Sequence, residues 1–231
     1  MSKLLNEVIK DINELMNENN DRIFTIGLGS GSTISLLVNE IKNLDKTEFN
    51  HVQFVPTSLQ IKIQAEQTGL VMVDEKKIPE IDLVIDGADQ IDKNKNMIKG
   101  GGGALLKEKI VMHASKNRFI LATEEKFVKK FSHFIPIEIH PFARLALIKK
   151  MEEFNFRPKI RLLNKGFPFI SENGNIILDL EYDDNNDELK DIIKLEHKLK
   201  TIPGVIEVGL FSNLNNLKFF KGYKNGLVER I

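Results

Sequence analysis

Apolar positions change rhythm along the chain, and each rhythm predicts an element. Leu4, Leu5, Val8, Ile9, Ile12, Leu15 and Met16 fall at helical spacing, with charges between them. This predicts an amphipathic N-terminal helix, not a signal peptide or a membrane span. The next segments alternate. Arg22–Gly29 reads as a strand ending in glycines, and Thr33–Leu44 as a helix. His51–Pro56 is strand-like, and Leu59–Gly69 is a helix closed by glycine. Leu70–Val73 and Ile81–Gly87 read as strands, Gly103–Ser115 as a helix and Asn117–Thr123 as a strand. Strands alternating with helices of about 10–15 residues predict βαβ units and a parallel sheet.

The texture changes near Phe131. Ile135–His140 alternates like a half-exposed strand, and Phe142–Phe154 is a helix. KIRLL is a strand, and PFISENGNIILDLEY is a strand pair around Asn173-Gly174, a strong hairpin signal. Asp187–Leu199 is a second helix, and Gly204–Phe211 a closing strand. The order β-α-β-β-α-β predicts a ferredoxin-like split unit. LKFFKGY is expected to return to the first domain. The predicted fold class is therefore α/β, a Rossmann-like parallel-sheet domain with a smaller ferredoxin-like α+β domain. The expected segments are 1–130 plus 205–231 for the first and 131–204 for the second.

Composition narrows the function. The 231 residues carry 33 basic and 33 acidic side chains and no cysteine. Zero net charge gives no general pull toward nucleic acid or acidic membranes, so neither is an expected partner. Without cysteine there are no disulfides, thiolate metal sites or cysteine nucleophiles, which fits a reducing, cytoplasmic setting. The five histidines show no metal-ligand spacing, and neither a metal nor a cofactor is expected.

Three loops could carry chemistry. Gly27-Leu28-Gly29-Ser30-Gly31-Ser32-Thr33 lies between a strand and a helix. Its glycines allow close backbone approach, and the following helix start offers N–H groups to a phosphate. The third glycine of a dinucleotide loop is absent, Ser32 standing there, and no Gly-Lys-Ser/Thr follows. The loop is read as a phosphate-binding turn, with a tight turn and hydroxyl cap as the alternative. Asp86-Gly87-Ala88-Asp89 follows the strand IDLVI, where ligands bind in open α/β sheets. Its two carboxylates could orient sugar hydroxyls, exchange protons or hold Mg²⁺, or could simply form an Asx-type turn. Lys99-Gly100-Gly101-Gly102-Gly103 precedes a helix that carries Glu108. Four successive glycines are entropically costly, which points to a backbone wrapped round an anion, with Lys99 as a cation at its lip. Glu108 by itself reads sooner as a solvated acid in the first turn of a helix, and Lys126 as a surface lysine. These loops are expected to converge at the carboxyl edge of the sheet. The set suits proton transfer next to a carbonyl in a small sugar phosphate.

GLGSGST, DGAD and KGGGGALLKEK, in this order, resemble the ribose-5-phosphate isomerase type A family. The likeness continues through Lys126, RPKIR, NGNIILDL and IPGVIEVGLF, so it spans nearly the whole chain. It implies interconversion of ribose 5-phosphate and ribulose 5-phosphate in the pentose phosphate pathway, without metal, by a homodimer or homotetramer. It further implies that Ser30, Gly31, Ser32 and Thr33 bind substrate. Asp86, Gly87, Ala88 and Asp89 would form a second binding loop, its aspartates assisting ring opening. Lys99, Gly100, Gly101 and Gly102 would form a third, with Glu108 as base and Lys126 as a substrate-binding lysine. Two positions depart from the pattern. Gln90 stands where a glutamate is usual, and Gly103 where an alanine is usual, loosening the helix start by up to about 1 kcal/mol. A sugar-phosphate sensor without turnover, or a CoA transferase-like enzyme using the glutamate as nucleophile, would share the architecture.

Overall fold

The computed structural model describes residues 1–19, 22–43, 49, 51–73 and 80–231. In chain order the elements are α1 (Ser2–Asn17), β1 (Phe24–Leu28), α2 (Gly31–Asn43), β2 (Val52–Pro56), α3 (Leu59–Thr68) and β3 (Ile81–Gly87). Then come β4 (Gln90–Ile91), β5 (Met97–Ile98), α4 (Leu105–Ala114), β6 (Ser115–Thr123), β7 (Ile135–Ile139) and α5 (Arg144–Glu153). The last are β8 (Arg157–Ile160), β9 (Ile176–Glu181), α6 (Ile192–Lys200), β10 (Val205–Val208), β11 (Leu210–Phe211), β12 (Leu217–Gly222) and β13 (Val228–Arg230).

The chain divides into two units, Met1–Ala88 with Lys107–Lys126 and Asn215–Ile231, and Asp89–Leu106 with Phe127–Leu214. The first holds a six-stranded sheet in the order β13-β12-β6-β3-β1-β2. The β2, β1, β3, β6 and β12 pairings are all parallel, and only β13 is antiparallel to its neighbour. Parallel strands bury both faces, and β1 and the first six residues of β3 are buried without interruption. The core of this unit joins the apolar stripe of α1 (Leu4, Leu5, Val8, Ile12) to Ile26, Leu28, Leu83 and Phe220. Each such side chain contributes about 1.5–3 kcal/mol by leaving water. Helix α3 is set by its ends: the Ser58 hydroxyl caps the Ile61 N–H at 3.3 Å, and Gly69 closes it at φ 81°.

The second unit contains a four-stranded antiparallel sheet in the order β10-β7-β9-β8, with α5 and α6 between its strands. This is the split β-α-β-β-α-β arrangement expected from the sequence. Ile135, Ile137, Leu147, Leu178, Leu195 and Val208 form its core. A small three-stranded sheet, β11-β5-β4, completes the unit.

Several expectations are adjusted. Leu70–Val73 makes only one bridge, Met72 to Phe54, and is not a strand of the sheet. Leu44, the expected end of the second helix, lies outside the described residues. The helix expected over Asp187–Leu199 opens with a 3-10 turn, Asp187–Lys190, and becomes α-helical at Ile192, where the Asp191 carboxylate caps Lys194 N–H. The helix expected from Gly103 begins at Leu105, and Gly103 precedes it at φ 80°. The contacts also group 89–106, 127–130 and 205–214 with the smaller unit. The sequence reading had assigned those stretches to the larger segment. Their pairing explains the grouping, since β4 and β5 join β11, and Phe127 bridges Ile91.

Candidate active site

Strand β1 leaves the sheet through Gly27, Leu28 and Gly29. A side chain on Gly29 would collide with the Asp86 carboxylate, so glycine there is a packing requirement set by Asp86. Asp86 is fully buried at the end of β3, and its Oδ1 accepts the Gly87 N–H at 2.7 Å. The chain enters α2 at Gly31, in left-handed backbone at φ 83°. Ser30 and Thr33 are half-buried and Ser32 is exposed. The first N–H groups of α2 have no acceptor within the helix, which gives this turn its capacity for an anion.

Glu108 lies in the first turn of α4 and is 4% exposed. Its Oε1 accepts a hydrogen bond from the Ser30 hydroxyl. The acid is therefore buried and joined to the first loop, unlike a solvated helix acid. Lys126 ends a 3-10 turn, Glu124–Lys126, directly after β6 and is half-buried. Its neighbour Glu125 is held below its ordinary pKa by the Thr123 hydroxyl, which donates to it at 2.5 Å. These residues belong to the first unit, as do Gly87 and Ala88.

The second unit carries Asp89, Lys99 and the glycine run. Asp89 N–H bonds to Ile98 O at 2.8 Å, and its Oδ2 accepts the Gly101 N–H at 2.8 Å. The DGAD segment thus reaches the glycine loop through its last aspartate. Lys99 is expected at a lip, but it is 3% exposed, with its ammonium 5.5 Å from the centre of the Phe211 ring. Its backbone N–H is fixed to Gly209 O at 2.9 Å. Burial against an aromatic face holds a cation in a dry setting, where its field is less screened. Gly101 and Gly102 are exposed, while Gly100 and Gly103 are buried.

Both departures from the family pattern have a local explanation. The Gln90 amide donates to Ser132 Oγ at 2.9 Å and accepts from Ser132 and His133 N–H at 2.8 and 3.0 Å. A neutral group that both donates and accepts suits that corner. Gly103 costs no helix propensity, because it precedes the helix. A Cβ there would run into the Phe169 ring, and its positive φ also favours glycine.

Sequence reasoning missed Arg161, Phe169 and the Lys99–Phe211 contact. Arg161 donates to Gly100 O and Gly101 O at 2.8 and 2.9 Å. Its only sequence signal was membership of the RPKIR segment. Phe211 itself belongs to the core, at 1% exposure. Among the described residues no three His, Asp or Glu side chains cluster as a metal site. No helix among them is long and apolar enough to cross a membrane.

Residues 53–226 match the family model described as ribose 5-phosphate isomerase A (phosphoriboisomerase A). A ribose-5-phosphate isomerase from Dictyostelium discoideum is 41% identical over 202 residues, 84% of each chain. The ribose-5-phosphate isomerase A of Methanosarcina acetivorans is 37% identical over 89% of this chain and 86% of its own. Among solved structures, the Plasmodium falciparum ribose 5-phosphate isomerase superposes with a TM-score of 0.85 at 31% identity, over 100% of this chain and 98% of its own. A D-ribose-5-phosphate isomerase in complex with phospho-erythronic acid superposes with a TM-score of 0.83 at 31% identity, covering 96% and 98%.

Proposed function

The chain belongs to the ribose 5-phosphate isomerase A family, and we propose from that premise that Glu108 is the base of its reaction. The enzyme interconverts ribose 5-phosphate and ribulose 5-phosphate. The observation that carries the assignment of the base is the burial of Glu108 in the first turn of α4, with Ser30 bonded to its carboxylate. A carboxylate held by a hydroxyl keeps one orientation, as a base must.

In this reading Asp86 assists opening of the sugar ring to the aldehyde. Glu108 takes the proton from C2, and the electron pair moves into a C1–C2 double bond, giving a cis-enediolate. Lys99 and the N–H groups of Gly100 and Gly102 stabilise the developing oxyanion, an effect of several kcal/mol when donors are preorganised, while the Gly101 N–H holds Asp89. The proton returns to C1, while a hydroxyl proton passes between O1 and O2 through Asp89. Ser30, Gly31, Ser32, Thr33 and Lys126 bind the substrate, with Gly87 and Ala88 lining the second loop. The relative solved in complex with phospho-erythronic acid supports a site that accepts a small phosphorylated sugar acid.

The reading extends to setting and assembly. We place the reaction in the pentose phosphate pathway and the cytoplasm. We also propose a homo-oligomer, a dimer or tetramer, built through the second unit. Phe142 there is 95% exposed and borders a cavity of about 290 Å³ with Leu145, Ile160 and Ile170. Contiguous exposed apolar surface of this kind marks interfaces. Size-exclusion chromatography with light scattering tests it, and a monomer at micromolar concentration would reject it.

The deciding experiment follows ketopentose formation from ribose 5-phosphate with chelator-treated protein and Glu108→Gln. The variant should bind substrate and lose turnover by about 10²- to 10⁴-fold. Near-normal turnover in the variant rejects Glu108 as base. Binding without turnover in both proteins makes the chain a sugar-phosphate binder.

A further inference from the structure

We infer that Arg161 is a positioning residue that aims the N–H groups of the glycine loop. The inference rests on the reading of residues 99–102 as a substrate-binding loop and goes beyond it by naming what sets the loop's direction.

One guanidinium nitrogen, Arg161 Nη1, donates to the carbonyls of two successive loop residues, Gly100 at 2.8 Å and Gly101 at 2.9 Å. In a planar trans peptide the C=O and the following N–H point in opposite directions. Turning the Gly100 carbonyl toward Arg161 therefore turns the Gly101 N–H away from it. That N–H meets the Asp89 carboxylate at 2.8 Å. By the same geometry, the Gly101 carbonyl on Arg161 sends the Gly102 N–H away from the guanidinium. Two consecutive peptides are thus oriented by one side chain. Glycines have no side chain to fix these planes, and their backbone freedom is the largest of any residue, so Arg161 adds a hold from outside to the bond within the loop, Gly103 N–H to Gly100 O at 2.9 Å.

Arg161 is itself fixed on every side. Its Nε and Nη2 bond to the two Asp179 oxygens at 2.9 and 2.5 Å, a paired geometry that fixes the plane of the guanidinium. Arg161 and Asp179 side chains are 12% and 15% exposed. The rings of Phe134 and Phe169 lie 5.6 and 5.9 Å from the guanidinium carbon. Phe169 also fills the space that a side chain at Gly103 would need, so the same ring bears on the arginine and on the end of the loop. The chain folds Phe169 back through its N–H, which donates to Arg161 O at 2.9 Å. Asp179, Phe169 and Gly103 thus support one function, a guanidinium locked where it holds two carbonyls.

A positioning role predicts a loss of turnover with binding largely kept, because misdirected donors weaken the transition state more than the ground state. Arg161→Lys keeps the charge and loses the fork. Its kcat should fall roughly 10- to 100-fold while KM changes less than about threefold. Amide hydrogen exchange of the peptide containing residues 99–104 should quicken. The double variant Arg161→Met with Asp179→Leu removes both charges, guards against misfolding, and should show the same split at unchanged melting temperature. Lys99→Met separates the two levels. If Lys99→Met keeps turnover, the loop reading itself fails. If Lys99→Met loses turnover while both Arg161 variants keep wild-type kcat and loop exchange, the arginine assignment alone is overturned. A fall in melting temperature with kcat intact would assign Arg161 to structure only, and also overturns it.

Discussion

Single atoms decide what a position such as Gly29 can carry. At Gly29 a methyl group would occupy the space of the buried Asp86 carboxylate. Gly29→Ala should displace Asp86 and reduce kcat/KM by at least about tenfold, because a small misplacement of a reacting group is costly. Steady-state kinetics beside a circular dichroism melt would separate that loss from unfolding. Gln90 is the opposite case. Its partners are Ser132 and His133, and Ser132 can rotate its hydroxyl to donate to a carboxylate. Gln90→Glu should therefore change kcat/KM less than about threefold, and a larger change would mean that charge at this position acts on the aspartates. The sequence disclosed which residue types matter here, through the glycines and DGAD. It did not disclose burial. Glu108 by itself reads as a solvated helix acid and Lys99 as a cation at a loop's lip, whereas both are buried, Glu108 bonded to Ser30 and Lys99 over the Phe211 ring.

Elements were legible where their rhythm lasted long enough to be a rhythm. The parallel strands and the split β-α-β-β-α-β unit were of that kind. Two-residue strands have no period, so β4 and β5 left no signal, although with β11 they form the sheet that carries Lys99. Strand β13, three residues past a turn, was missed for the same reason. GVIEVGLF reads as one strand, yet it divides at Gly209 between two sheets. There the Gly209 N–H donates to Pro136 O at 2.7 Å, while its carbonyl accepts the Lys99 N–H at 2.9 Å. A Cβ at Gly209 would press on Lys99 O and lie 2.8 Å from Pro136 O. Backbone atoms cannot swing aside as a side chain does. Gly209→Ala should cost on the order of 1–3 kcal/mol in urea unfolding and should also lower turnover, because Lys99 moves with the strand. An alanine variant with unchanged midpoint and rate would show that the junction tolerates a shift.

At the scale of the molecule, zero net charge hides a set of local charge balances that make stability depend on acid. Asp82 and Asp11 are the deepest charged groups of the first unit outside the site, with side chains 2% and 5% exposed. For Asp82, burial pushes the carboxyl up, but hydrogen bonds from Arg22 and from the Thr25 N–H outweigh it, and the net direction is down. For Asp11, burial again opposes ionisation, and Arg230 and Lys218 overcome it. An aspartate in the unfolded chain titrates near about 3.9. With the folded value below that, the unfolded state binds more protons as pH falls, so acid favours unfolding. The stabilisation from these pairs is complete well above the unfolded value and is lost as pH falls through the lowered folded values. Melting temperature should stay level from neutrality to about pH 5 and then drop, more steeply at low ionic strength, where the charged partners are less screened. Asp82→Asn isolates one contribution. It should be less stable than the wild type at pH 7, with the gap closing as pH falls through the lowered folded value, where the wild-type carboxylate is also protonated. A gap that stays constant over that range would mean that Asp82 acts through its shape and hydrogen bonds, with its charge contributing nothing to the fold.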